Sequence, residues 1–139
     1  MQRWAPLVLA VVVAAGTLLV VRGQQTGEVL APTGKPIVSI KLPELTTVAK
    51  AGQRLFAENC ASCHGVNAVG QAGVAPPLVH KIYEPSHHSD ISFQRAAKYG
   101  VRAHHWPFGN MPAVANVSEE DVSKITLYVR ELQRANGIE

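Results

Sequence analysis

The chain has 139 residues, with 13 Lys and Arg against 10 Asp and Glu and a formal net charge of +3 at pH 7. That length accommodates one domain and an appendage. Two of the basic residues, Arg3 and Arg22, flank an apolar run. Without these two, the chain carries 11 basic and 10 acidic side chains. Nucleic-acid binding requires clustered basic residues, and we therefore expect no nucleic-acid partner.

Residues 4–21 contain no charged side chain and are mostly apolar. At helical rise such a run spans about 27 Å, close to the hydrocarbon thickness of a bilayer. The segment is either a retained transmembrane anchor or a long secretory signal. The run ends in Val20-Val21-Arg22-Gly23, without the small residues of a cleavage site, although a cut after Ala15 is an alternative. The sequence favours a single N-terminal transmembrane helix within residues 1–22 that inserts into the lipid bilayer.

Residues 23–45 are predicted to form a tether. Prolines break any helix there and glycines loosen the chain, at Pro32, Pro36, Pro43, Gly23, Gly27 and Gly34. A free chain of this length reaches about 25–30 Å on average, enough to carry a small domain between two docking sites above a membrane. The apolar stretch 37–40 is expected to form a short strand or to pack along the domain or a partner.

Residues 46–139 are predicted to form the folded domain, with three main helices separated by loops at 65–88 and 101–117. Capping residues and glycines delimit the helices. The first helix is predicted to begin at Thr46 or Thr47 and to end near Cys60. The second should run from Ser89 or Asp90 to Gly100. The third should begin after the capping-box sequence at Ser118 and end at Asn136-Gly137.

Cys60-Ala61-Ser62-Cys63-His64 is the most specific feature of the chain. Cys-x-x-Cys-His is the attachment signature of c-type haem, in which two thiols add to the vinyl groups and the histidine ligates the iron. A thioredoxin-like dithiol belongs beside a β-α-β pattern, which is missing from this sequence. A closed zinc site needs further ligands, which would come from His80, His87, His88, His104 or His105. We predict one haem c, attached through Cys60 and Cys63, with His64 as the proximal iron ligand.

Met111 is the predicted sixth iron ligand. The other methionine, Met1, lies at the far end of the anchor, whereas Met111 stands in the turn-rich sequence Gly109-Asn110-Met111-Pro112. An ordinary packing role for Met111 and ligation by a second imidazole remain the alternatives. Trp106 precedes this loop, and its indole N–H is expected to donate to a haem propionate or else to pack on the porphyrin edge.

Together these residues resemble the class I c-type cytochromes, over residues 50–135. The matching stretches are Gly52-x-x-x-Phe56-x-x-x-Cys60-x-x-Cys63-His64-Gly65, Ala75-Pro76-Pro77-Leu78, Asn110-Met111-Pro112 and Ile125-x-x-Tyr128-Val129-x-x-Leu132. The resemblance implies an all-α cytochrome c fold around one haem, with the C-terminal helix crossing the first helix near Gly52 and Phe56. It also implies that the Pro76 carbonyl accepts a hydrogen bond from the proximal histidine. The His104-His105-Trp106 loop departs from the family pattern.

With both axial positions filled by protein, the iron has no open position for a substrate, and such a haem suits outer-sphere electron transfer. We therefore expect an electron carrier rather than an enzyme, without a small-molecule substrate. It would pass single electrons between membrane-associated redox complexes of a bacterial electron-transport chain. Covalent haem implies assembly on the non-cytoplasmic side, which places the haem domain on the periplasmic face of the cytoplasmic membrane.

Two other functions remain open at this point. The first is a permanent cytochrome subunit of a larger dehydrogenase or oxidase, docked through the anchor and residues 37–40. The second is a gas-binding or peroxidatic haem protein, in which Met111 is labile and His104 or His105 supplies distal acid–base chemistry.

Overall fold

The computed structural model describes residues 34–139, so the predicted transmembrane segment and the first part of the predicted tether lie outside the described residues. The helices of the described part are α1 (Thr47–Asn59), α2 (Ala61–His64), α3 (Asp90–Tyr99) and α4 (Glu119–Ala135), with 3₁₀ turns at Val66–Ala68 and Lys81–Tyr83. This part is mostly helical, as predicted. None of the helices in residues 34–139 is both long and apolar enough to cross a membrane.

The helices begin and end at the residues that capping chemistry predicts. At α1 the Thr46 hydroxyl accepts a hydrogen bond from the Ala49 N–H at 3.3 Å, and at α4 Ser118 and Asp121 form the predicted capping box. Gly100 ends α3 with a φ of 74°, a left-handed conformation that side chains disfavour. Local hydrogen bonds therefore determine the lengths of the main helices.

The core of the domain lies where α1 and α4 cross. A Cβ on Gly52 would lie 2.0 Å from the Lys124 carbonyl oxygen, so the two backbones meet directly. One turn along, the rings of Phe56 and Tyr128 pack with centroids 5.7 Å apart, and both side chains are buried. The crossing occurs at the residues that the resemblance indicated.

Helix α3 packs differently from the other two long helices, because it contributes no buried residue to the core. Ile91, which helical spacing makes available for packing, is 62% exposed. Phe93 is partly buried against the core, and Ala97 lines a cavity beside this helix. The apolar side of α3 therefore borders the cavity rather than the α1–α4 crossing.

Residues 34–45 form neither helix nor strand, and they lie on the surface of the domain. The N–H groups of Ile37 and Val38 donate to the Val69 carbonyl at 3.1 and 3.2 Å. Lys41 and the Asn136 side chain exchange hydrogen bonds of 2.7 and 2.9 Å. The stretch 37–40 thus packs along the domain instead of forming a strand, so it is not a free docking element.

Candidate functional site

A cavity of about 550 Å³ lies beside α3, with walls formed by the α1–α2 junction, the two long loops and the start of α4. Its volume falls within the range of about 300–1,000 Å³ that is usual for cofactor and ligand sites. The structure brings all six predicted site residues to the walls of this cavity: Cys60, Cys63, His64, Pro76, Trp106 and Met111.

His64 is held in one orientation by the protein backbone. Its Nδ1 lies 2.9 Å from the Pro76 carbonyl oxygen, and the ring is 8% exposed. A carbonyl can only accept, so Nδ1 carries the proton and Nε2 keeps its lone pair. Burial lowers the pKa of His64, although the bond to Pro76 acts in the opposite direction. A neutral, oriented imidazole of this kind is the form that ligates a metal.

The loop after α2 folds back tightly, which brings Pro76 to His64. Gly65 has a φ of 74°, and a Cβ on it would lie 2.4 Å from the Gly70 carbonyl oxygen. The Gly70 N–H in turn donates to the His64 carbonyl at 2.7 Å. Further on, the Ala68 carbonyl accepts from the Leu78 N–H at 2.8 Å. These bonds set the path of the backbone through Pro76.

Both cysteines are free thiols at α2: Cys63 lies within this helix and is exposed, and Cys60 precedes its first residue and is partly buried. Burial raises the pKa of the Cys60 thiol to about 11, and the neighbouring Cys63 adds to this rise. A redox dithiol needs a thiolate, so a raised pKa does not favour that alternative. Within residues 34–139, the close group of three potential metal ligands contains histidines and neither cysteine.

Met111 is fixed at the cavity wall by its backbone. Met111 and Val101 exchange two backbone hydrogen bonds of 2.9 Å each. Gly100 makes this approach possible, because a Cβ there would lie 2.5 Å from the Met111 carbonyl oxygen. The Asn110 side chain also accepts from the Ala103 N–H at 2.9 Å. The loop is thereby closed at its base, with His104, His105 and Trp106 beyond the closure.

The indole nitrogen of Trp106 is buried and has no hydrogen-bond partner among the described residues. A buried donor without an acceptor costs about 1–3 kcal/mol, so native structures rarely leave one. The indole stacks on Phe108 with ring centroids 5.8 Å apart. Burial raises the pKa of the nearby Tyr83 hydroxyl to about 12, and the Trp106 indole N–H, which approaches this hydroxyl without the geometry of a hydrogen bond, opposes the rise. Both groups line the cavity, so an acceptor there would satisfy the Trp106 nitrogen and would lie within the surroundings of the Tyr83 hydroxyl.

A buried polar network on α4, which the sequence pattern did not indicate, holds one wall of this cavity. Arg130 is 5% exposed and donates to the Asp90 carboxylate at 2.9 Å and to the Tyr83 carbonyl at 2.6 Å. Gln133 donates to the carbonyls of Leu78 and Tyr83 at 2.8 and 2.9 Å. Little in the sequence indicates that these two side chains are buried, because they stand beside the apolar stripe of α4, where polar residues usually face solvent.

The family model for Cytochrome c matches residues 49–133 of the chain. The chain is 34% identical over 89 residues to the Cbb3-type cytochrome c oxidase subunit FixPc of Rhizobium leguminosarum bv. viciae, covering 61% of this chain and 28% of that protein. It is 32% identical over 108 residues to the subunit CcoP of Rhodobacter capsulatus, covering 75% and 33%. It thus spans about a third of the length of the curated relatives it matches.

Proposed function

The chain belongs to the cytochrome c family, and from that premise we propose that it is a haem-carrying electron-transfer subunit of a larger membrane oxidase. The similarity to FixPc and CcoP carries this choice, because both relatives are named as oxidase subunits. A fixed subunit was the alternative prediction from the sequence, and the comparisons favour it over the membrane-tethered carrier between complexes that was the first expectation.

The cavity residues fit one covalently bound haem c. Cys60 and Cys63 would hold the haem through thioether bonds, and His64 would ligate the iron through Nε2. Met111 would supply the sixth ligand from the closed loop on the other wall. Haem c provides a one-electron couple between ferric and ferrous iron. The support for this assignment is the neutral, oriented His64, which lines the same cavity as Met111 and both thiols.

The buried indole of Trp106 and the Tyr83 hydroxyl would donate to a haem propionate. A propionate is an ionised acceptor, and hydrogen bonds to charged groups are stronger than neutral ones. The orphaned Trp106 nitrogen supports this role over simple packing.

Electrons would enter or leave near Cys63. This cysteine is exposed, and the loop that follows presents two exposed apolar side chains, Val66 and Val74. A small apolar surface beside the attachment point suits close approach of a redox partner. Residues 4–21 would anchor the subunit in the cytoplasmic membrane of a bacterium, with the haem domain on the periplasmic side, because covalent haem is assembled there.

The ligation is tested by visible spectra of the purified protein in ferric and ferrous forms, with and without carbon monoxide. We expect a weak far-red band from sulfur-to-iron charge transfer in the ferric form, and no response to carbon monoxide. Loss of the band without carbon monoxide binding would instead indicate two histidine ligands. Ready binding of carbon monoxide would overturn the electron-carrier assignment and support a gas-binding or catalytic haem.

The choice between subunit and carrier is tested by purification in mild detergent from the native membrane. We expect the chain to remain with large oxidase subunits through affinity and size-exclusion steps. A monomeric chain that nevertheless exchanges electrons with membrane complexes would contradict the subunit proposal and restore the free carrier.

A further inference from the structure

Four histidines meet at the edge of the cavity, and the proposed haem ligation uses none of them. His87 and His88 end the first long loop, whereas His104 and His105 lie in the second. Their rings approach closely across this gap, with centroids of His87 and His88 5.2 Å each from that of His105. Chain folding therefore joins two pairs of imidazoles that the sequence keeps apart.

Three of these histidines present ring nitrogens to one point. One nitrogen each from His87, His88 and His105 lies within 4.8 Å of the others. The Nε2 atoms of His87 and His105 are 3.3 Å apart. Two imidazoles on one tetrahedral ion, each at about 2.0–2.1 Å from it, have nitrogens separated by about 3.3–3.4 Å. His87 and His105 are exposed, so small ring rotations can bring the third nitrogen to the same distance.

The ring of His88 is already oriented for ligation. Its Nδ1 donates to the Ile82 carbonyl at 2.6 Å, which leaves Nε2 with a free lone pair. Metal-binding histidines typically donate their second ring nitrogen to a carbonyl or carboxylate in this way. The backbone carbonyl of His88 accepts from Arg130, so the buried network holds the residue in place.

We propose that His87, His88 and His105 bind one divalent transition-metal ion of the Zn²⁺ or Cu²⁺ class, independently of the haem. Imidazole ligands suit these ions, whereas Mg²⁺ and Ca²⁺ prefer oxygen. Three protein ligands leave a fourth position open.

Such an ion would join the two loops that wall the cavity. One loop carries Tyr83 and the other carries Trp106, the two groups proposed to contact the propionate. An ion that binds the folded chain but not the unfolded chain stabilises the fold. This stabilisation grows with the logarithm of the ratio of the ion concentration to the dissociation constant. The site would therefore connect metal binding to the rigidity of the haem surroundings.

The test is calorimetric titration of the full-length, haem-loaded chain with Zn²⁺ after removal of adventitious metal by a chelator. We expect one high-affinity site, and we expect His87→Ala and His105→Ala each to weaken it by at least about tenfold. His80→Asn is the matched control, because His80 lies outside the cluster and asparagine retains a capping acceptor for the Ile82 N–H. Its affinity should equal that of the unchanged chain.

A second measurement uses Cu²⁺ and electron paramagnetic resonance on the unchanged chain, so its result does not depend on the folding of any variant. We expect the spectrum to show coupling of the copper to several imidazole nitrogens, and His105→Ala to show fewer coupled nitrogens. The proposal would be overturned by the absence of a stoichiometric Zn²⁺ site, by copper bound to oxygen alone, or by alanine variants that bind Zn²⁺ as tightly as the unchanged chain does. Visible spectra recorded in parallel report the haem separately, so a failed metal site is distinguishable from a failed haem assignment.

Discussion

The Nδ1 atom of His64 donates a hydrogen bond to the backbone carbonyl of Pro76 at 2.9 Å, across 12 residues of chain. The acceptor belongs to the backbone, so the path of the loop sets the ring orientation, and no second side chain is needed. Gly65 and Gly70 permit that path through their positive φ angles. Nε2 is thereby left as the one ring nitrogen that can reach iron in the proposed haem site.

Met111→Ala should leave the haem covalently attached but change its chemistry. Loss of the thioether ligand should lower the reduction potential by on the order of 100 mV or more, and open the iron to external ligands. Potentiometric titration and carbon monoxide difference spectra measure both effects. Val114→Ala removes another apolar group from the same cavity and serves as the control. An unchanged potential and no carbon monoxide binding in the Met111 variant would exclude Met111 as a ligand.

Trp106→Phe should change how the reduction potential depends on pH. Removing the indole N–H takes a hydrogen bond from the ionised propionate, which raises the pKa of that propionate. Because an ionised propionate favours ferric iron, the pH range in which the potential falls should move upward. Potentials measured across pH for the unchanged chain, Trp106→Phe and the packing control Phe108→Leu test this. Identical profiles for all three would mean that Trp106 only packs.

Arg130→Ala should destabilise the domain by about 2–4 kcal/mol, because it leaves the His88 carbonyl without its donor, removes one of the two donors to the Tyr83 carbonyl, and takes the guanidinium away from the Phe93 ring. Urea denaturation measures the change. Arg134→Ala is the matched control, since Arg134 is exposed on the same helix. Asp90→Asn should have a small effect, because Asp90 is 74% exposed at its side chain. If Arg130→Ala loses no more stability than Arg134→Ala, the network does not stabilise the domain.

Gly52→Ala should destabilise the domain by about 1–3 kcal/mol. Helix propensity alone would predict the opposite, because alanine favours a helix more than glycine does. The added methyl would meet the Lys124 carbonyl at the α1–α4 crossing. Ala57→Ser adds one heavy atom to an exposed position of the same helix and should change little. Thermal unfolding of the three proteins gives the comparison, and a more stable Gly52→Ala chain would contradict the direct backbone contact.

Asp121→Asn should reduce the loss of stability in acid. The Asp121 carboxylate accepts from the Ser118 hydroxyl at 2.6 Å and from its N–H at 3.2 Å, and these bonds hold the pKa of Asp121 below its ordinary 3.8. A carboxyl whose pKa is lower in the folded state stabilises the fold above the unfolded pKa. That contribution disappears as the pH falls through the folded value. Urea midpoints measured from neutral pH down to below 3.8 should fall less steeply for the variant, whereas parallel curves would show no coupling.

Local chemistry made much of this fold predictable. Thr46, Gly100 and Ser118 delimit helices through hydrogen bonds and backbone angles that involve only their neighbours, so the sequence alone identifies them. The Cys-x-x-Cys-His motif is equally local, because its thiols and imidazole lie within one helical turn. Periodicity similarly indicated the apolar stripe of α4, though it could not show that Arg130 is buried beside it.

The sequence by itself therefore determined where the main helices begin and end, and it contains the Cys-x-x-Cys-His motif and the candidate ligands of the proposed haem. Only the tertiary structure decided which distant groups meet: Arg130 with Tyr83, residues 37–40 with Val69, and His87 with His105. It also revealed that the buried indole nitrogen of Trp106 has no hydrogen-bond partner within residues 34–139. The physical reason is the range of the contacts. Caps and turns are satisfied within a few residues, whereas these pairings depend on how the long loops cross the cavity.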